Sequence, residues 1–71
     1  MNKKQPAAAV EYFNKAVTQD PKSHLGYYYR GLALIQAQKP KQSKADFEKV
    51  LELAPDSPEA KDAKEYLKSI K

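Results

Sequence analysis

The chain reads as an all-α protein built from a repeated pair of helices, and three observations predict this. Gly occurs twice and Pro five times in 71 residues, the rest being mostly strong helix formers. The alternation of β-branched and polar residues that marks a strand is absent. Stop and start signals then recur: Asp20-Pro21 precedes Ser23, and Ala54-Pro55 precedes Ser57-Pro58, as expected where helices end and new ones are capped. Finally, the sequence matches itself at an offset of 34 residues, laying Pro6 on Pro40, Phe13 on Phe47, Lys15 on Lys49, Pro21 on Pro55 and Ser23 on Ser57. Five identities fall in the 19 pairs from Gln5/Lys39 to Ser23/Ser57, against about one for roughly even residue usage. Ala9/Ser43, Ala16/Val50 and Val17/Leu51 are conservative matches at the same offset. A fixed period of this size signals a stacked repeat.

The elements follow in order. A first helix is predicted over about Pro6–Gln19, with Pro6 in its first turn and Asp20-Pro21 closing it. Ala9, Phe13, Ala16 and Val17 form its apolar side, flanked by Val10 and Tyr12. By the offset this is the second helix of a repeat whose first helix would lie upstream of it, so the chain is expected to begin within a repeat and to leave one face of this helix without its natural cover.

A second helix is predicted over about His24–Gln38, with Ser23 as its N-cap. It is apolar nearly all round, which implies burial on several sides. Tyr27, Gly31 and Leu34 should face the third helix. Gly31 sits mid-helix, where it costs about 1 kcal/mol against Ala, so a close approach by a neighbour must offset it. Gly26, Ala33 and Ala37 form a small-residue strip that admits the first helix. Leu25, Tyr28, Leu32 and Ile35, with Gln36 beside them, make up the third side.

The third helix is predicted over about Pro40–Leu53, with Ser43, Phe47 and Val50 on one face by their spacing of four and three. Pro55 ends it. The fourth runs over about Pro58–Ile70, with Ser57 as N-cap, Pro58 in the first turn and Glu59 favourable to the helix dipole. Its apolar stripe is narrow, Ala60, Ala63, Leu67 and Ile70, and Lys61, Lys64, Lys68 and Lys71 cover much of the rest. Terminal repeats need a polar outer face, so this helix is expected to close the array. The whole of residues 1–71 is one domain: a partial repeat over 5–23, a full repeat over 24–57 and a capping helix over 58–71.

Tyr27, Gly31 and Leu34, followed by Ser43, Phe47, Val50 and Pro55, resemble the tetratricopeptide repeat, with aromatic, Gly, large, small, aromatic, small and Pro at its spacing. Ser43 stands where the family most often has Ala, Tyr27 where it often has Trp, and Arg30 where Leu is commoner. The resemblance implies four antiparallel helices in a right-handed superhelical stack, an α-α solenoid fragment. It also implies a non-catalytic role in protein–protein interaction, with partners received in the groove lined by Leu25, Tyr28, Leu32, Ile35 and Gln36. Some family members clamp acidic chaperone tails with Lys, Asn and Arg on that side; here Leu25, Tyr28, Tyr29 and Leu32 occupy those places, and that function is not carried over.

Composition narrows the classes further. No Cys is present, which excludes disulfides, thiolate metal sites and cysteine nucleophiles. No apolar run approaches the ~20 residues of a membrane span, and the start Met1-Asn2-Lys3-Lys4 leads into an apolar run too short for a secretory signal. The net charge of +4 is spread as +2 over residues 1–24, +1 over 25–57 and +1 over 58–71. That is no basic stripe for nucleic acid, and the Lys39, Lys41 and Lys44 turn lacks the Arg cluster or stacking platform of a phosphate contact. His24 is the single histidine, without partners for metal or catalysis. Asp46 and Glu48 point to different sides of their helix and make no catalytic pair, while Asp46 can pair with Arg30 between antiparallel helices.

The expectation is therefore a protein that is not an enzyme and holds no cofactor or metal, binding a protein or peptide partner in an apolar groove rather than a nucleic acid or a membrane. The alternative is structural self-association, as a homodimer with or without helix exchange, through Ala9, Phe13, Ala16 and Val17. A fragment of a longer repeat scaffold would show the same open face.

Overall fold

A computed structural model describes residues 6–70, with side chains from Ala8 onward. Gln5, where the partial repeat was set to begin, and Lys71 of the polar outer face lie outside the described residues. Four helices follow one another: α1 over Pro6–Gln19, α2 over His24–Gln36, α3 over Pro40–Leu53 and α4 over Pro58–Ser69. The all-α class and the repeated helix pair are as the sequence predicts. Among the described residues no helix is long and apolar enough to cross a membrane.

Two ends differ from expectation. α2 stops at Gln36, two residues short of the predicted end, because Gln38 takes a left-handed conformation with φ 63°. Its N–H reaches the Ile35 carbonyl at 2.9 Å and the Lys39 N–H reaches Leu34 at 2.8 Å. These two bonds form a Schellman closure, normally built on Gly. α4 ends one residue early, with Ile70 extended and its N–H on the Tyr66 carbonyl. The predicted caps also separate. Ser57 accepts from the Ala60 N–H at 3.1 Å and donates to the Ala54 carbonyl at 2.8 Å, whereas Ser23 holds the N-cap position of α2 without a side-chain cap bond.

Short turns make sequential helices antiparallel, and the contacts fix their register. Gly26 lies against Val17 and Ala16, and further along Arg30 reaches Asn14, so α2 runs back along α1. The tight turn at Gln38 and Lys39 sends α3 back along α2, and there Gly31 lies against Phe47 and Arg30 meets Asp46. His24 meets Glu59 and Tyr28 meets Asp62, which sets α4 beside α2 in the same direction. α2 thus touches each of the other three helices, while α1 packs against α2 alone. The apolar character of α2 on nearly every side follows from this central place.

The core forms where α2, α3 and α4 meet. Phe47, Val50, Ala60 and Ala63 are buried, and Tyr27, Tyr28, Leu32, Ile35, Leu51, Tyr66, Leu67 and Ile70 pack around them. Phe47 is the hub. Its ring stacks on Tyr66 at 4.8 Å and meets the bare backbone of Gly31, where a Cβ would come within 2.9 Å of two ring carbons. This is the close approach that the mid-helix glycine implied. Gly26 does the same for α1, since a Cβ there would lie 2.9 Å from Val17 Cγ1.

Candidate interaction surface

Arg30 holds the helices around the candidate surface in register. Its Nε and Nη2 donate to the two carboxylate oxygens of Asp46 at 2.9 and 2.5 Å, and Nη1 donates to Asn14 Oδ1 at 3.0 Å. The guanidinium also sits 5.5 Å from the centre of the Tyr27 ring. One side chain of α2 therefore ties α1 and α3 together. The hydrogen bonds and charge of Asp46 outweigh burial and raise the Arg30 pKa further. The sequence allowed this pair but gave no sign that Asp46 is buried, at 3% exposure.

The predicted groove side of α2 divides into a covered part and an open part. Tyr28, Leu32 and Ile35 are half-buried, because α4 lies along them and they pack against the core. The Tyr28 hydroxyl donates to Asp62 Oδ2 at 2.9 Å, and His24 Nε2 lies 3.1 Å from Glu59 Oε1. Desolvation of the Tyr28 phenol, its bond to Asp62 and the neighbouring carboxylate charge push its pKa up to about 12. Leu25 and Gln36, at the two ends of that side, stay exposed.

Among the described residues, the large exposed apolar groups stand on α1 and α2: Tyr12 at 68%, Tyr29 at 44% and Leu25 at 40%. Tyr12 and Tyr29 were not singled out for a partner from the sequence, although the Tyr27-Tyr28-Tyr29 run places its third member on the side of α1. The structure joins these rings. Tyr12 meets Phe13 edge-on at 5.1 Å, Phe13 stacks on Tyr29 at 5.7 Å, and Tyr29 meets Tyr28 at 5.4 Å. Tyr28 then meets Phe47 at 6.3 Å, and Phe47 meets Tyr66. A continuous ladder of rings runs from the open edge of α1 to α4.

Among the residues expected on a self-association face, Val17 is 7% exposed and turned against Gly26 of α2. Ala9, Phe13 and Ala16 are half-buried, and Tyr12 extends their stripe. Lys39 before α3, and Lys41 and Lys44 in its first turns, are exposed.

Comparison with curated proteins and with solved structures gave no match. Comparison with protein families gave two matches, both to tetratricopeptide repeat, over residues 1–23 and residues 24–57. The boundary between them falls where the 34-residue offset places it, between Ser23 and His24. Such repeats generally mediate protein–protein interactions and act as non-catalytic scaffolds. With helix pairs in the register that its repeat demands and two adjoining family matches over residues 1–57, the chain belongs to the tetratricopeptide repeat family.

Proposed function

We propose that this chain is a non-catalytic interaction module that receives a helix or an extended apolar segment along the open side of α2. Leu25, Tyr28, Leu32, Ile35 and Gln36 are its contact residues. The observation that carries this reading is the asymmetry of exposure. The exposed large apolar side chains found among the described residues stand on α1 and α2, and α3 and α4 contribute none. Leu25 and Tyr29 are a helical turn apart, beside half-buried Tyr28, on a helix held from three sides. Aromatic and aliphatic groups fixed on a rigid element lose little freedom when a partner covers them, as interface anchors do.

The test uses a peptide selected by display against the whole chain. Leu25→Glu should abolish its binding while the helical circular dichroism stays unchanged, because Leu25 lies outside the core. Binding that survives Leu25→Glu and Gln36→Glu together would place the partner elsewhere and refute the reading.

A further inference from the structure

The charges that border the open side of α2 say more about its partner. That side bears none itself, since Leu25, Tyr28, Leu32, Ile35 and Gln36 are all uncharged. It is bordered by α4, which runs beside α2 and sorts its charges by side. By 100° steps, Glu59, Asp62 and Tyr66 fall within about 60° of one another, while Lys61, Lys64 and Lys68 fall within about 60° on the opposite side. The acidic side is turned toward α2, because Glu59 meets His24 and Asp62 meets Tyr28. The three lysines are exposed. Leu25 lies along α2 between the two points that the acids reach, and is 40% exposed.

The charge of these two carboxylates is not cancelled within the fold. Asp46 is answered by the Arg30 guanidinium, and Glu52 and Glu65 by Lys49 and Lys68. Among the described residues, Glu59 and Asp62 pair with no Lys or Arg; their hydrogen bonds come from an imidazole and a phenol. The phenol stays neutral far above pH 7, and one imidazole supplies at most one positive charge against two negative ones. A chain of net charge +4 is therefore negative beside Leu25. In a longer chain, a helix joined to the start of α1 by a short turn would pack beside α1. That place is across α2 from Glu59 and Asp62, since α1 does not touch α4.

We propose that the segment received beside α2 belongs to another protein and is basic: Leu25 and Tyr28 take its apolar side chains, and Glu59 and Asp62 take Lys or Arg placed next to them. The inference rests on the α2 reading above and adds the chemistry of the partner. A carboxylate offers about four lone-pair sites, so the bonds to His24 and Tyr28 hold the acids in place and leave room for an incoming cation. An acidic segment with the same apolar residues is repelled, which makes the border a selector between partners.

The probes are three labelled peptide pools that share Leu and Phe and differ in their polar residue, which is Lys, Gln or Glu. Each is added to the full chain at low salt and followed by fluorescence anisotropy. The Lys pool should bind about tenfold more tightly than the Gln pool, the scale of two exposed ion pairs, and the Glu pool should not bind. Salt should shrink the preference. Glu59→Gln with Asp62→Asn should erase it, whereas Glu48→Gln with Glu52→Gln, which removes two exposed carboxylates of α3, should keep it. The amides can still accept from His24 and Tyr28, and unchanged helical circular dichroism verifies the fold. A preference that survives the first pair of changes, or is lost equally in both pairs, overturns the proposal. Equal binding of all three pools that Leu25→Glu abolishes also overturns it and leaves the α2 reading standing. No binding by any pool overturns it too, and the display-selected peptide then decides the α2 reading by itself. A dimer by light scattering that the first pair dissolves would make a second copy the occupant and overturn it as well.

Discussion

Replacing Gly31 by Ala sets two effects of known size against each other. Mid-helix, Ala is favoured over Gly by about 1 kcal/mol. The added Cβ would stand 2.9 Å from Phe47 Cε1 and Cζ and 3.3 Å from Cδ1. The ring cannot retreat, because Phe47 is fully buried and Tyr66 stacks on it at 4.8 Å. Forcing an extra carbon into such a site costs about 1–3 kcal/mol. The net expectation is a loss of about 1 kcal/mol, or about 4–8 °C in melting temperature for a domain of this size. Urea unfolding followed by circular dichroism measures it, with Gly26→Ala as the comparison. There the obstacle is one methyl, Val17 Cγ1, on a helix that packs against α2 alone, so a small shift of α1 should leave stability within about 0.5 kcal/mol of the parent. A double-mutant cycle isolates the cause. Phe47→Leu removes the two nearest ring atoms, and in that background Gly31→Ala should become neutral or stabilising. A rise in the urea midpoint on Gly31→Ala alone, or a cycle without coupling, would refute the claim that the glycine is there for the ring.

Three further outcomes are expected. Arg30→Ala leaves the buried Asp46 carboxylate unpaired and should cost about 3 kcal/mol, whereas Asp46→Ala leaves an arginine that can turn toward water and should cost about 1–2 kcal/mol; equal losses in denaturant melts would contradict the assigned burial. Ser57→Ala removes the cap of α4 and should cost about 1 kcal/mol, while Ser23→Ala, which breaks no cap bond, should fall within about 0.5 kcal/mol of the parent. Tyr28 titrates late, and a folded pKa raised from 10.0 to about 12 means that its contribution is full below pH 10.0 and is lost as pH rises toward 12. Phenolate absorbance should therefore show Tyr28 ionising above the ordinary range, an upward shift that Asp62→Asn reduces, and stability should fall less steeply over this window in Tyr28→Phe.

The fold was legible because its signals are local. Prolines at 21, 40, 55 and 58 punctuate the helices, and the 34-residue offset pairs Phe13 with Phe47. Gly31 announced a close approach through its propensity cost alone. The failures are non-local or stereochemical. That Gln38 would take φ 63° was hidden because a residue other than Gly rarely does so. The burial of Asp46 depends on Arg30 and α2 together, and its own neighbours read as a solvated face. The candidate surface was half legible. That Leu25 and Tyr28 share one side of α2 followed from helical spacing, but Tyr12 stood opposite an aspartate in the repeat alignment, which gave no hint of its 68% exposure. How far α4 covers Tyr28, Leu32 and Ile35 depends on the angle between two helices, and no single position encodes that.

The ring ladder gives the molecule a built-in optical reporter. The chain has five tyrosines and no tryptophan, so its ultraviolet emission originates in phenols alone. Four of them, Tyr12, Tyr29, Tyr28 and Tyr66, belong to a chain of rings whose successive centres lie 4.8–6.3 Å apart. Excitation absorbed at one phenol should migrate to others before it is emitted, which depolarises the fluorescence of the folded state. The same proximity couples the ring transitions and should give a strong near-ultraviolet dichroism. A partner that docks beside Leu25 and Tyr28 would perturb the middle of this ladder rather than its Tyr12 end, so unlabelled protein can report where it binds.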